Sequence, residues 1–150
     1  MDTNMEKLLH YVWQHRIYPL RALHTEDGAE VDIIDPGLHN FNAGPDFFNA
    51  KVKIGGQLWV GNVEIHERAS DWFRHQHQQD AAYNNVVLHV VSVADEQALT
   101  LDGKSLPQLV LTVPPEILRN YEELLHEDTF PPCYRIIPHL PDIKKHAWLA

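Results

Sequence analysis

Four short stretches of this chain carry side chains that bind metal ions or move protons. Asp46 stands in Gly44-Pro45-Asp46-Phe47, and Glu64 and His66 alternate in Val63-Glu64-Ile65-His66. Asp71 opens a run that reaches His75-Gln76-His77, and His89 interrupts the apolar run Val86-Val87-Leu88-His89-Val90-Val91. A hydrolytic metal centre needs such groups on rigid neighbouring elements, aimed at one point. On a strand, Glu64 and His66 project from one face, roughly 7 Å apart at about 3.3 Å per residue. Carboxylate oxygens at Asp46 and Glu64 suit Mg²⁺ or Mn²⁺. A set in which His66, His75 or His89 joins a carboxylate suits Zn²⁺ instead. On a helix His75 and His77 diverge by about 200° and cannot share an ion, whereas Asp71 and His75, four apart, can.

Each of these residues also has an ordinary structural reading. An Asp after proline suits a turn. Glu64 and His66 suit a solvent-facing pair, and Asp71 suits a helix cap. A lone histidine in an apolar strand suits a core side chain with a satisfied hydrogen bond. Glu6, three residues after Thr3, completes a capping box before it is anything else.

The elements that must position these groups follow from periodicity. Met5, Leu8, Leu9, Val12 and Trp13 fall on one face of a helix over 3–15. Residues 31–34 read as a short strand closed by Asp35-Pro36-Gly37, and 38–45 as loop. A strand over 47–54 puts Phe48, Ala50, Val52 and Ile54 on one face, and Gly55-Gly56 turns it into a partner strand over 58–66. A helix is expected over 70–83. The run 86–93 is too apolar for an exposed edge and belongs inside the sheet. Asp102-Gly103 predicts a second hairpin with strands over 97–101 and 106–113, and Pro114-Pro115 opens a helix to about His126. The fold class is α/β: a mixed central sheet flanked by helices, with a C-terminal hairpin and helix. Residues 1–127 form the expected domain. The proline-rich residues 128–150 read as a linker or the start of a further region.

With 150 residues and 44% hydrophobic content, the chain supports one domain with a real core. A net charge of −9 argues against a general polyanion binder, since nucleic-acid affinity rests largely on neutralising phosphates. A single cysteine, Cys133, rules out an internal disulfide. No apolar run approaches the roughly 20 residues of a membrane span, so the expectation is a cytoplasmic protein without a membrane partner. Oligomerisation is open.

This order of elements, with Pro45-Asp46 opening the second strand and Glu64-Ile65-His66 ending the third, resembles the PD-(D/E)XK nuclease superfamily. The resemblance implies a restriction-endonuclease-like αβββαβ core. It implies Asp46 and Glu64 as the acids that hold Mg²⁺ or Mn²⁺, the Ile65 backbone carbonyl as a further ligand, and Glu6 as an accessory acid. The superfamily's lysine is His66 here. A lysine polarises the attacking water as a fixed cation; a histidine acts as base or ligand instead. The stretch Gly44 to Val91 is similar, more closely, to the bacterial domain of unknown function 2851, whose name implies no activity. The expected function is a divalent-metal-dependent phosphodiesterase acting on DNA or RNA. Asp46, Glu64 and His66 are its catalytic residues, and Asp71, His75, His77 and His89 are accessory candidates. The competitors are a Zn²⁺-dependent hydrolase with histidine ligands and a catalytically inactive domain used for binding or assembly.

Overall fold

A computed structural model describes residues 4–17 and 23–126. The Thr3 cap and the proline-rich 128–150 lie outside the described residues. Helix α1 (Asn4–Gln14) forms where its apolar spacing requires. It buries Leu8, Leu9, Val12 and Trp13, and Glu6 and His10 bury on the flank of the same stripe. Among the described residues seven strands follow: β1 (Leu23–His24), β2 (Glu30–Asp35), β3 (Leu38–His39), β4 (Phe47–Ile54), β5 (Gln57–Arg68), β6 (Val86–Val93) and β7 (Gln108–Val110). The sheet runs β1-β2-β4-β5-β6-β7, with β3 paired to β4. The pairs up to β4–β5 are antiparallel, while β5–β6 and β6–β7 are parallel. The mixed sheet expected from the sequence is therefore present, with β6 in its interior. Its two ends meet: Thr25 bridges Leu109, and the Glu26 N–H donates to the Gln108 carbonyl at 3.0 Å. That contact makes the sheet barrel-like.

Alternation along β5 and β6 divides the interior. Val63, Ile65, Leu88 and Val90 pack under α1 with Phe47, Ala50, Val52 and Trp13. Glu64, His66 and His89 face the other way, toward Trp72. There Trp72, Val86, Ala98 and Leu106 form a second, smaller apolar cluster, and the Trp72 indole N–H donates to the Leu99 carbonyl at 2.8 Å. Each fully buried large side chain contributes about 1.5–3 kcal/mol by leaving water. Gly61 lets β6 approach β5: a Cβ there would lie 2.6 Å from the Asn85 carbonyl oxygen and 2.5 Å from a Val87 methyl.

Four expectations are corrected. First, Phe47 rather than Phe48 faces the core. The ladder shifts register between Phe47↔Val63 and Ala50↔Gly61, and Asn49 takes φ 58°, so one extra residue bulges out of β4. A one-residue slip exchanges the faces of everything before it, which turns Asp46 toward Glu64. Second, 70–83 is not one helix. α2 (Asp71–Arg74) lasts a single turn, Gln76 reverses into the left-handed region at φ 59°, and two short 3-10 turns (His77–Gln79, Ala81–Tyr83) follow. The Asp80 carboxylate caps the second turn by accepting the Ala82 N–H. Third, the 97–113 hairpin shrinks to one bridge, Leu99↔Ser105. Pro107 has no N–H for a ladder, its carbonyl accepts the His89 N–H, and the chain beyond it pairs with β6. Fourth, 38–45 is not all loop, since it contains β3. Helix α3 (Pro115–His126) forms as expected.

Candidate metal centre

Asp46 and Glu64 stand side by side at the end of the β4–β5 pair. The Asp46 N–H donates to Glu64 Oε1 at 3.1 Å, and the Ile65 N–H donates to Asp46 Oδ2 at 2.8 Å. A strand residue presents its N–H and C=O on one edge, so the Ile65 carbonyl also faces the β4 side. Across from Asp46 lies α1: His10 Nε2 is 3.4 Å from Asp46 Oδ2. Glu6, His10 and Asp46 each offer a ligand atom within 4.8 Å of the others. Burial pushes the Asp46 carboxyl above the usual carboxylate range, and the Glu64 charge adds to the rise; His10 and the Ile65 N–H pull the other way.

Glu64 directs its other oxygen to the opposite side of the site. Oε2 lies 2.9 Å from His77 Nε2 and 3.2 Å from His66 Nε2. His66, His75 and His77 form a second set of ligand atoms within 4.8 Å of one another. The break at Gln76 is what brings His75 and His77 together, against the divergence a continuous helix imposes. Tyr83 stacks on His77 with ring centres 3.8 Å apart, and Trp72 meets it edge-on at 5.3 Å. Burial raises the Tyr83 hydroxyl pKa, and the Glu64 and Asp46 charges add to it. Asp71 takes no part in the set: its carboxylate accepts from Arg74 at 3.1 Å and from the Arg68 N–H at 3.3 Å.

Behind this set runs a buried chain of hydrogen bonds. His66 Nδ1 is 2.8 Å from His89 Nε2, and His89 Nδ1 is 2.8 Å from Gln108 Oε1. The Gln108 amide donates to the Glu96 carbonyl at 2.9 Å and to the Glu26 carboxylate. Burial pushes His66 and His89 down to about 3, and neighbouring imidazoles add to the shift. Both rings are therefore neutral near pH 7. His75 is shifted down by the same two causes.

The chain belongs to the family described as "Protein of unknown function (DUF2851)", which it matches over residues 6–150. The matched stretch takes in every member of both donor sets. No curated protein and no solved structure matches this family member.

A cleft of about 380 Å³ opens beside Asp46, lined by Lys7, His10, His39, Asn40, Phe41 and Asn42. Asn40 holds the loop that forms its wall: its side-chain amide donates to the Ala43 and Pro45 carbonyls at 3.1 and 2.9 Å, and its Oδ1 accepts the Asn42 N–H at 3.0 Å. His39 stacks on Phe47 with ring centres 4.8 Å apart.

Of the residues singled out from the sequence, Asp46, Ile65, Glu64, His66, His75, His77 and Glu6 meet at one end of the β4–β5 pair. They divide between two donor sets, Asp46 turning to α1 and Glu64 to the histidines. His89 lies one hydrogen bond behind His66. Sequence reasoning missed His10, Tyr83 and Gln108. His10 follows Glu6 by four residues on one helix face, a signal that was available. Gln108, a polar residue within Leu106 to Leu111, was the other.

Proposed function

We propose that this chain is a divalent-metal-dependent hydrolase of phosphodiesters in nucleic acid, with its ion held at Asp46. The observation that carries this reading is the Asp46–Glu64 pair, tied to the strands by two backbone hydrogen bonds and flanked by Glu6 and His10 on an open cleft. The strand order supports a restriction-endonuclease-like arrangement: α1, then β2, β4 and β5 antiparallel in succession, then the α2 segment and a parallel β6.

The donor set fits the ion that such a fold implies. Asp46 and Glu6 supply hard oxygens, as do Glu64 Oε1 and the Ile65 carbonyl, while Glu64 Oε2 faces the histidines, and this suits Mg²⁺ or Mn²⁺. The His10 nitrogen tips the preference toward Mn²⁺. A carboxyl whose pKa burial has raised gains most from a cation beside it. When bound, the ion lowers the pKa of a water and offsets charge developing on the phosphate. The chain's own residues do the rest. Lys7, the cationic side chain on the cleft, draws the phosphodiester toward Asp46. Asn40 keeps the wall in place. His66 cannot replace the superfamily's lysine as a cation, because burial keeps it neutral; its Nε2 faces Glu64 Oε2 at 3.2 Å instead. The negative net charge leaves few phosphate contacts, so binding relies on the cleft.

The test is a cleavage assay of the full chain on DNA and RNA, single-stranded and duplex, with Mn²⁺, Mg²⁺ or a chelator. Cleavage that needs the ion supports the reading. Cleavage unaffected by the chelator, or none on any substrate with either ion, refutes it.

A further inference from the structure

We infer that Glu64, His66, His75 and His77 hold a second ion, a zinc ion, in a closed site that pins the 75–77 turn to β5 behind the Asp46 cleft. This site shares Glu64 with the Asp46 ion and needs no cleavage chemistry; Gln108 sets its protonation. The Gln108 amide nitrogen faces the Glu96 carbonyl oxygen and the Glu26 carboxylate. Both are acceptors, so that end of the amide is the NH₂ group and the end facing His89 is the oxygen. His89 Nδ1, 2.8 Å from this oxygen, carries its proton. A buried imidazole with no carboxylate against it is neutral, so His89 Nε2 is bare. His66 Nδ1, 2.8 Å from that bare nitrogen, donates to it. His66 Nε2 is then a lone pair, aimed at Glu64 Oε2 from 3.2 Å.

Two acceptors at that separation repel unless something positive lies between them. His66 Nε2 is buried and makes no hydrogen bond with the described residues, and the same holds for both ring nitrogens of His77. Yet His77 Nε2 also approaches Glu64 Oε2, to 2.9 Å. Unpaired nitrogens so deeply buried are costly, and here the two Nε2 atoms converge on one carboxylate oxygen. Around a zinc ion with bonds of 2.0–2.1 Å, tetrahedral donors lie roughly 3.3 Å apart. The two nitrogen–oxygen distances to Glu64 Oε2, 2.9 and 3.2 Å, fall close to that. A ligand atom of His75 lies within 4.8 Å of those of the other two imidazoles, and its exposed side chain turns in to close the set. Three imidazoles and one carboxylate select a borderline ion over Mg²⁺. Four protein donors leave no position for a water, which is the pattern of a structural site. Gln108 and His89 are positioning residues: they fix the His66 tautomer, as outer partners of metal-bound imidazoles do.

The experiment is metal uptake by the full chain, stripped with a chelator and dialysed, read by zinc stoichiometry and by the visible bands of a cobalt substitute. One equivalent of zinc is expected, with tetrahedral cobalt bands. The exposed His75→Ala and the buried His77→Gln should each weaken uptake by more than about 100-fold, and Gln108→Ala by roughly 10- to 100-fold. Asp46→Asn should leave uptake unchanged. No uptake by folded wild type at equimolar zinc overturns the inference, and means that a proton on Glu64 fills the gap. Uptake that survives in both histidine variants, or that disappears in Asp46→Asn, overturns it as well. A chain that binds zinc but cleaves nothing refutes only the phosphodiesterase reading.

Discussion

Acidifying the metal-free protein from pH 7 to pH 5 should destabilise it through two buried imidazoles. His66 and His89 are each held near pKa 3 in the fold against 6.5 when unfolded. Between those values the unfolded chain takes up protons that the folded chain refuses. Stability is therefore complete above pH 6.5 and falls as the pH drops toward 3. At pH 5 the difference of 1.5 pH units from 6.5 corresponds to about 2 kcal/mol for each imidazole. Asp46 works in the opposite direction, because its raised folded pKa lets the fold hold a proton that the unfolded chain has lost. It is one group against these two, and His15 and His75, also shifted down by burial, act with them, so a net loss remains. Domains of this kind have about 5–15 kcal/mol in total, so the effect is easily measured. Urea denaturation in the presence of chelator, at pH 7, 6 and 5, gives the slope directly. His89→Gln removes one of the two titrating rings and should make the slope shallower. A stability independent of pH over this range, or an identical slope in His89→Gln, would refute the buried neutral pair.

Three further outcomes follow from particular contacts. Gly61→Ala places a Cβ against the Asn85 carbonyl and a Val87 methyl and should cost about 1–3 kcal/mol; a denaturation midpoint equal to that of wild type would contradict the close approach of β6. Gln108→Ala strands the His89 Nδ1–H in the interior and should cost about 1–3 kcal/mol in the same assay, whereas a neutral effect would mean the chain of hydrogen bonds is not as described. Cleavage should be faster with Mn²⁺ than with Mg²⁺, and His10→Ala should narrow that ratio; an unchanged ratio would remove His10 from the ion's surroundings.

Much of the sheet was legible because strand signals are local. The apolar run of β6 and the Gly55-Gly56 turn between β4 and β5 mark their own places. Asp46, Glu64 and His66 stood out for the same reason: acids and imidazoles are conspicuous beside apolar strands. What sequence reading missed was set by single backbone events. The bulge at Asn49 carries no strong signature, yet it decides which face Asp46 occupies. The reversal at Gln76 is equally quiet, and without it His75 and His77 could not meet. Periodicity over 70–83 pointed to a helix because the residues permit one; the left-handed residue and the Asp80 cap overrule it. Glu6 and His10 were visible as a pair four apart, but only the packing of α1 against β5 brings them to Asp46.

The most direct test of the account is the rate of Mn²⁺-dependent nucleic-acid cleavage by wild type and by Asp46→Asn, which keeps the shape of the side chain and removes its charge. The account predicts cleavage by the wild-type chain and a loss of at least about 100-fold, near 2.7 kcal/mol of transition-state stabilisation, in the variant. Equal rates in the two proteins, with both folded, would contradict it.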